Sequence, residues 1–302
     1  MVKLRYEYFW PGLNPNDFFI TKYFDTPIIT NSDDYDILVC SVFINRPLFN
    51  INPNAKIILF NGEHSSYIIN FINQTQIKPH ILMGFSDIPQ ETIKSLYVNN
   101  TIPTLIYYPL WILYYDNIFS QEYFNKKNEE IMNITREEFD KKRLCCLINS
   151  HDMNNVRTPI YNFIKSKNGD VDCPGRLLNN MNNKLVGTSS EDKLKFMNIY
   201  KFNICSENKY GYGYVTEKLP QCMDALCIPL YIGCKDTSKI NYKIFNINRV
   251  VFMDKYDRLK ELLETPDKQY EIYKQPIFNE DSFKILKNFI NLTKTIVLSK
   301  LN

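Results

Sequence analysis

Between Glu207 and Lys218 the chain reads Glu-Asn-Lys-Tyr-Gly-Tyr-Gly-Tyr-Val-Thr-Glu-Lys, a density of acceptors, rings and charge suited to a phosphorylated, sugar-bearing ligand. Lys218 brings a full positive charge to a helix start expected near Thr216, where unpaired backbone N–H groups and the helix dipole favour a phosphate. Glu217 can accept hydrogen bonds from sugar hydroxyls such as a ribose diol. Tyr210, Tyr212 and Tyr214 offer faces to a base or a sugar. Taken alone the motif is weak. Gly211-x-Gly213 lacks the third glycine of a dinucleotide fingerprint, Thr216 standing in its place, and no Gly-Lys-Ser/Thr phosphate loop occurs. Thr216 to Lys218 also read as an ordinary N-cap with surface charges, and Pro220 is expected to remove an early helical bond and displace the first turn.

The elements around this loop decide whether it can act. A buried strand over Lys201–Glu207 precedes it, a helix follows, and a second buried strand runs over Cys227–Gly233, so the loop lies at the carboxyl end of a strand in a βαβ unit. The second half also predicts strands over Leu144–Asn149 and Arg249–Met253. A helix carries Val156, Ile160, Phe163 and Ile164 at i, i+4, i+7 and i+8, and another is opened by Ser189-Ser-Glu-Asp192 and reaches Tyr200. In the first half, strands are expected over Asp36–Ile44, Lys56–Asn61, His80–Phe85 and Thr104–Tyr108. The stretch Asp116–Arg143 is charged and lacks strand character, which marks an interdomain boundary. A last helix over about Asp281–Leu298 has one broad apolar face.

Alternation of strands and helices over 302 residues gives an α/β chain large enough for two domains. With 44% hydrophobic residues, disordered and fibrous classes are excluded. A net charge of +3 from 36 basic and 33 acidic side chains argues against a nucleic-acid or membrane-surface protein. The longest apolar run, Ile102–Tyr115, is interrupted by Pro103 and Pro109. With charges punctuating the first residues, no signal peptide or membrane anchor is expected, and the chain is expected to be soluble and cytoplasmic. Eight cysteines without a CxxC pair suit buried thiols in a reducing compartment. Sequons at Asn73, Asn99, Asn133 and Asn291 follow from an asparagine-rich composition, which with abundant isoleucine and lysine suits an AT-rich viral or bacterial genome. Asp33-Asp34-x-Asp36 is expected to be turn carboxylates, and His64, His80 and His151 are not spaced as a metal triad, so no metal is expected.

Glu207-Asn208, Tyr214-Val-Thr-Glu-Lys218 and Ile228-Pro-Leu-Tyr-Ile-Gly233, in this order and spacing, resemble the α1,3/1,4-fucosyltransferases that use GDP-fucose, glycosyltransferase family 10, most closely the soluble bacterial type. Upstream, Leu147-Ile-Asn-Ser150 with Asn155-Val-Arg157 is similar to the segment whose arginine contacts the donor pyrophosphate. Asp172-Cys-Pro-Gly-Arg176 is similar to a glycine-containing loop, and Ile58-Leu-Phe-Asn-Gly-Glu63 to the segment presenting the catalytic glutamate. Met83-Gly-Phe-Ser and Tyr108-Pro-Leu-Trp-Ile resemble segments that follow it. Ser206 stands where the family has an aromatic residue and Ile232 where it has tryptophan, and the arginine expected near Tyr108 is absent.

The resemblance implies a GT-B fold: two Rossmann-like domains facing across a cleft, the first (1–125) for the acceptor, a linker (126–142), and the second (143–302) for GDP-fucose. The last helix is expected to pack back on the first domain. It implies an inverting transfer of fucose to a glycan hydroxyl, in an α1,3 or α1,4 linkage to a GlcNAc-type sugar, with no cofactor and no metal. Glu63 becomes the base; Arg157, Asn208, Tyr214, Glu217 and Lys218 bind the donor; Glu207, Thr216, Arg176 and His64 support them. Judged without the resemblance, Glu63 is equally a solvated loop carboxylate and Arg157 a helix-start residue packed in its own domain. A GT-B enzyme using another nucleotide-sugar and a catalytically silent carbohydrate-binding protein are the alternatives.

Overall fold

The computed structural model describes residues 1–45, 51–84, 91, 93–94, 97, 102–115, 120–182 and 189–301. Phe85 and Ser86 of the resembling segment and the Asn99 sequon lie outside the described residues.

Parallel pairing builds both sheets. The first contains β1 (Lys3–Glu7), β2 (Ile28–Ile29), β3 (Ile37–Cys40), β4 (Lys56–Asn61), β5 (Ile81–Gly84) and β6 (Thr104–Tyr107), in the order β2-β1-β3-β4-β5-β6. The second contains β7 (Arg143–Cys146), β8 (Val171–Asp172), β9 (Tyr200–Ser206), β10 (Ile228–Ile232) and β11 (Val251–Phe252), in the order β11-β10-β9-β7-β8. Inner strands covered on two faces read as near-continuous apolar runs, which is why β3, β4, β5 and β10 are visible in the sequence; β9 shows through Phe202, Ile204 and Cys205 despite Lys201 and Asn203. The predicted β3 overshoots: pairing stops at Cys40, and Val42 and Phe43 belong to the loop beyond.

Strand β1 is not anticipated, because Lys-Leu-Arg-Tyr-Glu alternates charge with apolar residues. It is secured by the acidic cluster. Asp36 accepts from the Lys3 backbone N–H at 2.8 Å, Asp34 pairs with the Lys3 ammonium, and Asp33 meets Arg5 Nη1 at 2.6 Å. The buried Arg5 also donates to Glu7 at 2.7 Å.

Around the sheets lie α1 (Ser65–Thr75), α2 (Trp111–Tyr115), α3 (Gln121–Asn133), α4 (Arg136–Asp140), α5 (Arg157–Ser166), α6 (Ser190–Met197), α7 (Lys218–Asp224), α8 (Asn241–Ile244), α9 (Asp257–Glu264), α10 (Pro266–Tyr273) and α11 (Ser282–Leu301). The expected capping box is present: the Ser189 hydroxyl accepts from Asp192 N at 3.1 Å, while Asp192 accepts from Ser189 N. Among the described residues no helix is long and apolar enough to cross a membrane.

The chain forms two compact units. One holds Met1–Asp116, Gly211–Tyr214 and Lys287–Asn302; the other holds Asn117–Tyr210 and Val215–Leu286. In the first, Leu38, Cys40, Leu59, Ile68, Phe71, Ile72 and Leu82 form one core. On the other side of the sheet Phe19 stacks on Tyr108 with centroids 4.4 Å apart, and Phe289 of α11 lies 6.1 Å from Tyr108. In the second unit Phe139 packs on Tyr270 and Tyr273, and the buried Arg249 donates to the Gln275 carbonyl at 3.0 Å. All eight cysteines are buried free thiols.

Where β4 and β5 end side by side, Asn61 pairs with Gly84. A Cβ on Gly84 would lie 2.4 Å from the Asn61 carbonyl oxygen, so only glycine lets the strand pass this close to the segment leading to Glu63. Gly84→Ala is expected to destabilise the protein by about 1–3 kcal/mol, read as a lowered Tm, because backbone rather than a side chain must move. An unchanged Tm would show that β5 can shift freely.

Candidate active site

In open parallel sheets ligands sit beyond the carboxyl ends of the strands, where the strand order reverses direction. In the second sheet that point falls between β7 and β9. A cavity of about 480 Å3 opens there, lined by Asn149, Ser150 and His151 after β7, by Asn203, Ser206 and Asn208 from β9 onward, and by Gly175, Lys193, Glu217, Lys218 and Gln221. Its size falls in the range of small-molecule and cofactor sites. Three residues singled out from sequence, Asn208, Glu217 and Lys218, therefore share one wall system.

The cavity is held in shape by Glu207, which is buried directly beneath it. One carboxylate oxygen accepts from Thr216 N at 2.8 Å and from the Tyr231 hydroxyl at 3.0 Å; the other accepts from Thr216 Oγ1 at 2.6 Å. Burial pushes the Glu207 pKa up against the opposing pull of Lys218, and burial followed by the Glu207 charge keeps Tyr231 a protonated donor. Gly233 makes room for that phenol, since a Cβ there would fall 2.2 Å from the Tyr231 hydroxyl oxygen.

This network corrects the expected helix start. The Thr216 N–H is taken by Glu207, and α7 begins at Lys218 and runs seven residues. Pro220 then falls in the first turn, where a helix needs no N–H, so it displaces nothing. What remains for an anion is charge. Lys218 Nζ lies 3.2 Å from Thr216 Oγ1, 3.3 Å from Glu217 and 3.7 Å from Glu207. Burial opposes its charge, but the Glu207 and Glu217 carboxylates outweigh burial and hold its pKa above that of an ordinary lysine.

Arg157 is wholly buried at the start of α5 and is not among the lining residues. It donates from Nη1 to the His151 carbonyl at 2.7 Å, and from Nη2 to the Ser206 carbonyl at 2.9 Å and Asn208 Oδ1 at 3.1 Å. Its guanidinium thus ties the loops after β7 and β9 together under the cavity floor. Burial lowers its pKa against the raising influence of Asp152. Asp152 caps this helix start through Val156 N at 3.0 Å, Arg157 N at 2.9 Å and Thr158 N at 2.8 Å. Burial opposes the Asp152 charge, yet these bonds hold its pKa below the usual carboxylate range. Arg176 is exposed and is not among the lining residues of the cavity, although its neighbour Gly175 is.

The first unit has its own cavity at the reversal between β1 and β3. It measures about 350 Å3 and is lined by Trp10, Phe43, Gly62, Glu63, Leu110, Leu113 and Tyr114. Glu63 follows β4, and its N–H donates to Asn61 Oδ1 at 2.9 Å while its carbonyl accepts from Asn61 Nδ2. His64 caps α1, its Nδ1 accepting from Ser66 N at 3.3 Å. Tyr214 is buried and belongs to the Gly211–Tyr214 segment of this unit, which Tyr107 holds by donating to the Gly213 carbonyl at 2.9 Å. Glu63, His64 and Tyr214 therefore belong to one unit, and Arg157, Asn208, Glu217 and Lys218 to the other.

Lys193, Gln221, Trp10 and Tyr114 were not flagged by sequence reasoning, since nothing in their local spacing separates them from surface residues. Among the described residues no group of three His, Cys, Asp or Glu side chains can hold a metal ion.

Two α/β units with parallel sheets, each with a cavity at its strand reversal, define the GT-B class of glycosyltransferase folds. Two solved structures of an α1,3-fucosyltransferase, one described with GDP-fucose, match 97% of this chain and 90% of theirs at 19% identity, with TM-scores of 0.60 for the one with GDP-fucose and 0.63 for the other. The model of the C-terminal domain of glycosyltransferase family 10 (fucosyltransferase) matches residues 138–289. The chain belongs to that family. Among curated relatives, the alpha-(1,3)-fucosyltransferase FucT of Helicobacter pylori is 30% identical over 118 residues, 38% of this chain and 23% of that protein. The candidate fucosyltransferase R654 of Acanthamoeba polyphaga mimivirus is 29% identical over 201 residues, 61% of this chain and 32% of that protein. The chain thus spans a quarter to a third of the curated relatives it matches.

Thr216→Val should cost about 1–3 kcal/mol in denaturant unfolding, because it leaves one oxygen of a buried carboxylate without its hydroxyl donor. Asp152→Ala should cost about 0.5–2 kcal/mol at neutral pH through the lost cap. The native Asp152 pKa is depressed, so the stability it supplies is present above the unfolded carboxylate pKa and fades as pH falls through the folded one. The gap between variant and parent should therefore close in acid, and a gap independent of pH would contradict the ionised cap.

Proposed function

We propose that this chain is an inverting fucosyltransferase that moves fucose from GDP-fucose to a hydroxyl of a glycan acceptor, in an α1,3 or α1,4 linkage to a GlcNAc-type sugar. The observation that carries the reading is the convergence of Asn208, Glu217 and Lys218 of the family motif on one cavity at the strand reversal of the second sheet. A relative of the same fold is described with GDP-fucose bound.

In this mechanism the Glu63 carboxylate takes the proton of the acceptor hydroxyl as its oxygen attacks the anomeric carbon. The bond from that carbon to the diphosphate oxygen breaks, and GDP leaves with the electron pair. Lys218 and Lys193 offset the charge that develops on the diphosphate, in the role that a metal fills in other transferases. Glu217 and Asn208 bond the sugar hydroxyls and the nucleoside. Arg157 fixes Asn208 and adds its charge beneath the diphosphate. Trp10, Phe43 and Tyr114 give the acceptor ring apolar faces beside Glu63, and the absence of a side chain at Gly62, where a Cβ would come within 2.8 Å of Leu110 Cδ1, leaves room for Leu110 in the same wall. No metal or other cofactor takes part. Eight buried free thiols suit a reducing cytoplasm, and the even charge balance suits neither a nucleic acid nor a membrane surface as partner.

Glu63→Gln should abolish fucose transfer, at least about a hundredfold in kcat, with GDP affinity nearly unchanged. Lys218→Ala should weaken GDP binding about tenfold or more. Product formation and calorimetric GDP titration, each with and without EDTA, check this division. Equal loss of GDP affinity in the two variants, or activity that EDTA removes, would overturn it.

A further inference from the structure

The first unit carries a second cavity that the transfer reaction does not use. It measures about 560 Å3 and is lined by Lys56, Lys78, Pro79, His80, Tyr97, Ile102, Thr104 and Lys300. Lys56 opens β4, His80 precedes β5, Thr104 opens β6 and Lys300 lies in the last turn of α11, so the cavity sits at the amino ends of the strands. Glu63 lies beyond the carboxyl end of β4. The six-residue strand sets Lys56 and Glu63 roughly 17 Å or more apart, too far for one monosaccharide to touch the two.

Three ammonium groups arrive from β4, from the loop before β5 and from α11, and no carboxylate is among the described lining residues. None of the three lysines forms an ion pair among the described residues. Asp36, which precedes β3 beside Lys56, accepts from the Lys3 backbone N–H. Like charges gathered without counter-charges repel, and the arrangement is favourable only when an anion joins them. The imidazole completes the set. His80 Nδ1 accepts from Ile57 N at 3.0 Å, so the ring proton is fixed on Nε2, which is left as a donor. Burial, and then the Lys56 charge, lower the His80 pKa and keep that neutral tautomer in place near neutral pH. Tyr97 donates to the Pro79 carbonyl at 3.1 Å and fixes the segment that carries Lys78 and His80.

We propose that this cavity is a separate anion site for a phosphoryl group bearing two or more negative charges, with Lys56, Lys78 and Lys300 as counter-charges and His80 Nε2–H as a fixed donor. The phosphoryl group has two possible sources, a soluble phosphate ester or the headgroup of an anionic lipid. The exposed side chain of Ile102 in the cavity wall makes the second worth a separate arm. The proposal does not depend on the donor or acceptor assigned above.

The chain holds three histidines, and each reports a different place: His64 caps α1, His151 lines the cavity of the second unit, and His80 lines this one. Titrating the full chain with inorganic pyrophosphate while following the three imidazole 15N resonances separates the sites in one experiment. His80 should move in a saturable way, and in Lys56→Gln/Lys78→Gln the apparent Kd should rise about tenfold or more. Unchanged His64 and His151 resonances in that variant show that it is folded. Should it fail to fold, Lys300→Gln on the exposed face of α11 should weaken the His80 response several-fold. A His80 resonance that does not move, or moves equally in the lysine variants, would overturn the proposal whatever happens at His151. Lysine-dependent sedimentation with phosphatidylglycerol vesicles but not with phosphatidylcholine vesicles would identify the lipid as source. Pyrophosphate binding at His80 without such sedimentation would identify a soluble phosphate.

Discussion

A single buried carboxylate organises the second unit. Glu207 directly follows the central strand β9, and its two oxygens receive the backbone and hydroxyl of Thr216 and the phenol of Tyr231, the latter reaching across from β10. A charge in that position is costly unless every lone pair is used, so the network is strongly selective for one arrangement of the loop between β9 and α7. That arrangement sets Glu217 and Lys218 at the cavity wall. It also gives Lys218 a carboxylate on each side, which keeps the ammonium charged where it is largely withdrawn from water. Arg157 does the corresponding work on the other flank by holding the loop after β7 to that after β9.

The two units solve the same geometric problem with different chemistry. Each parallel sheet reverses its strand order once, and each reversal opens a cavity beyond the carboxyl ends. In the second unit the lining is amide, hydroxyl and lysine, suited to a polar and anionic ligand. In the first it is tryptophan, phenylalanine, tyrosine and leucine around one glutamate, suited to the apolar face of a neutral ligand and the removal of one proton. The opposite edge of the first sheet, rich in lysine, has no equivalent in that cavity.

Much of this was legible in the residues. Strands covered on two faces declared themselves as apolar runs, and the βαβ unit around Glu207 could be drawn before its contacts were known. Strand β1 could not, because Lys3 and Arg5 owe their place to Asp33, Asp34 and Asp36 some thirty positions away, and local alternation says nothing about that pairing. The start of α7 was misjudged for a related reason. Propensity favours Thr216 as a helix cap, but its hydroxyl is given to the buried Glu207 carboxylate rather than to the first turn, and the tertiary bond prevails over the local preference. The identity of Arg157 was readable, whereas its complete burial and its three carbonyl and amide partners depend on how two loops meet. Lys193 and Gln221 reach the cavity through the packing of α6 and α7, which no spacing in the chain announces.

The central claim is that the cavity under the control of Glu207 holds a guanosine diphosphate sugar by side-chain charge alone. Calorimetric titration with GDP-fucose, GDP-mannose and a UDP-sugar, in the presence of EDTA, tests it most directly. The account predicts saturable binding of GDP-fucose that survives chelation and is preferred over the other two donors. Preference for a UDP-sugar, or binding that disappears with EDTA, would contradict it.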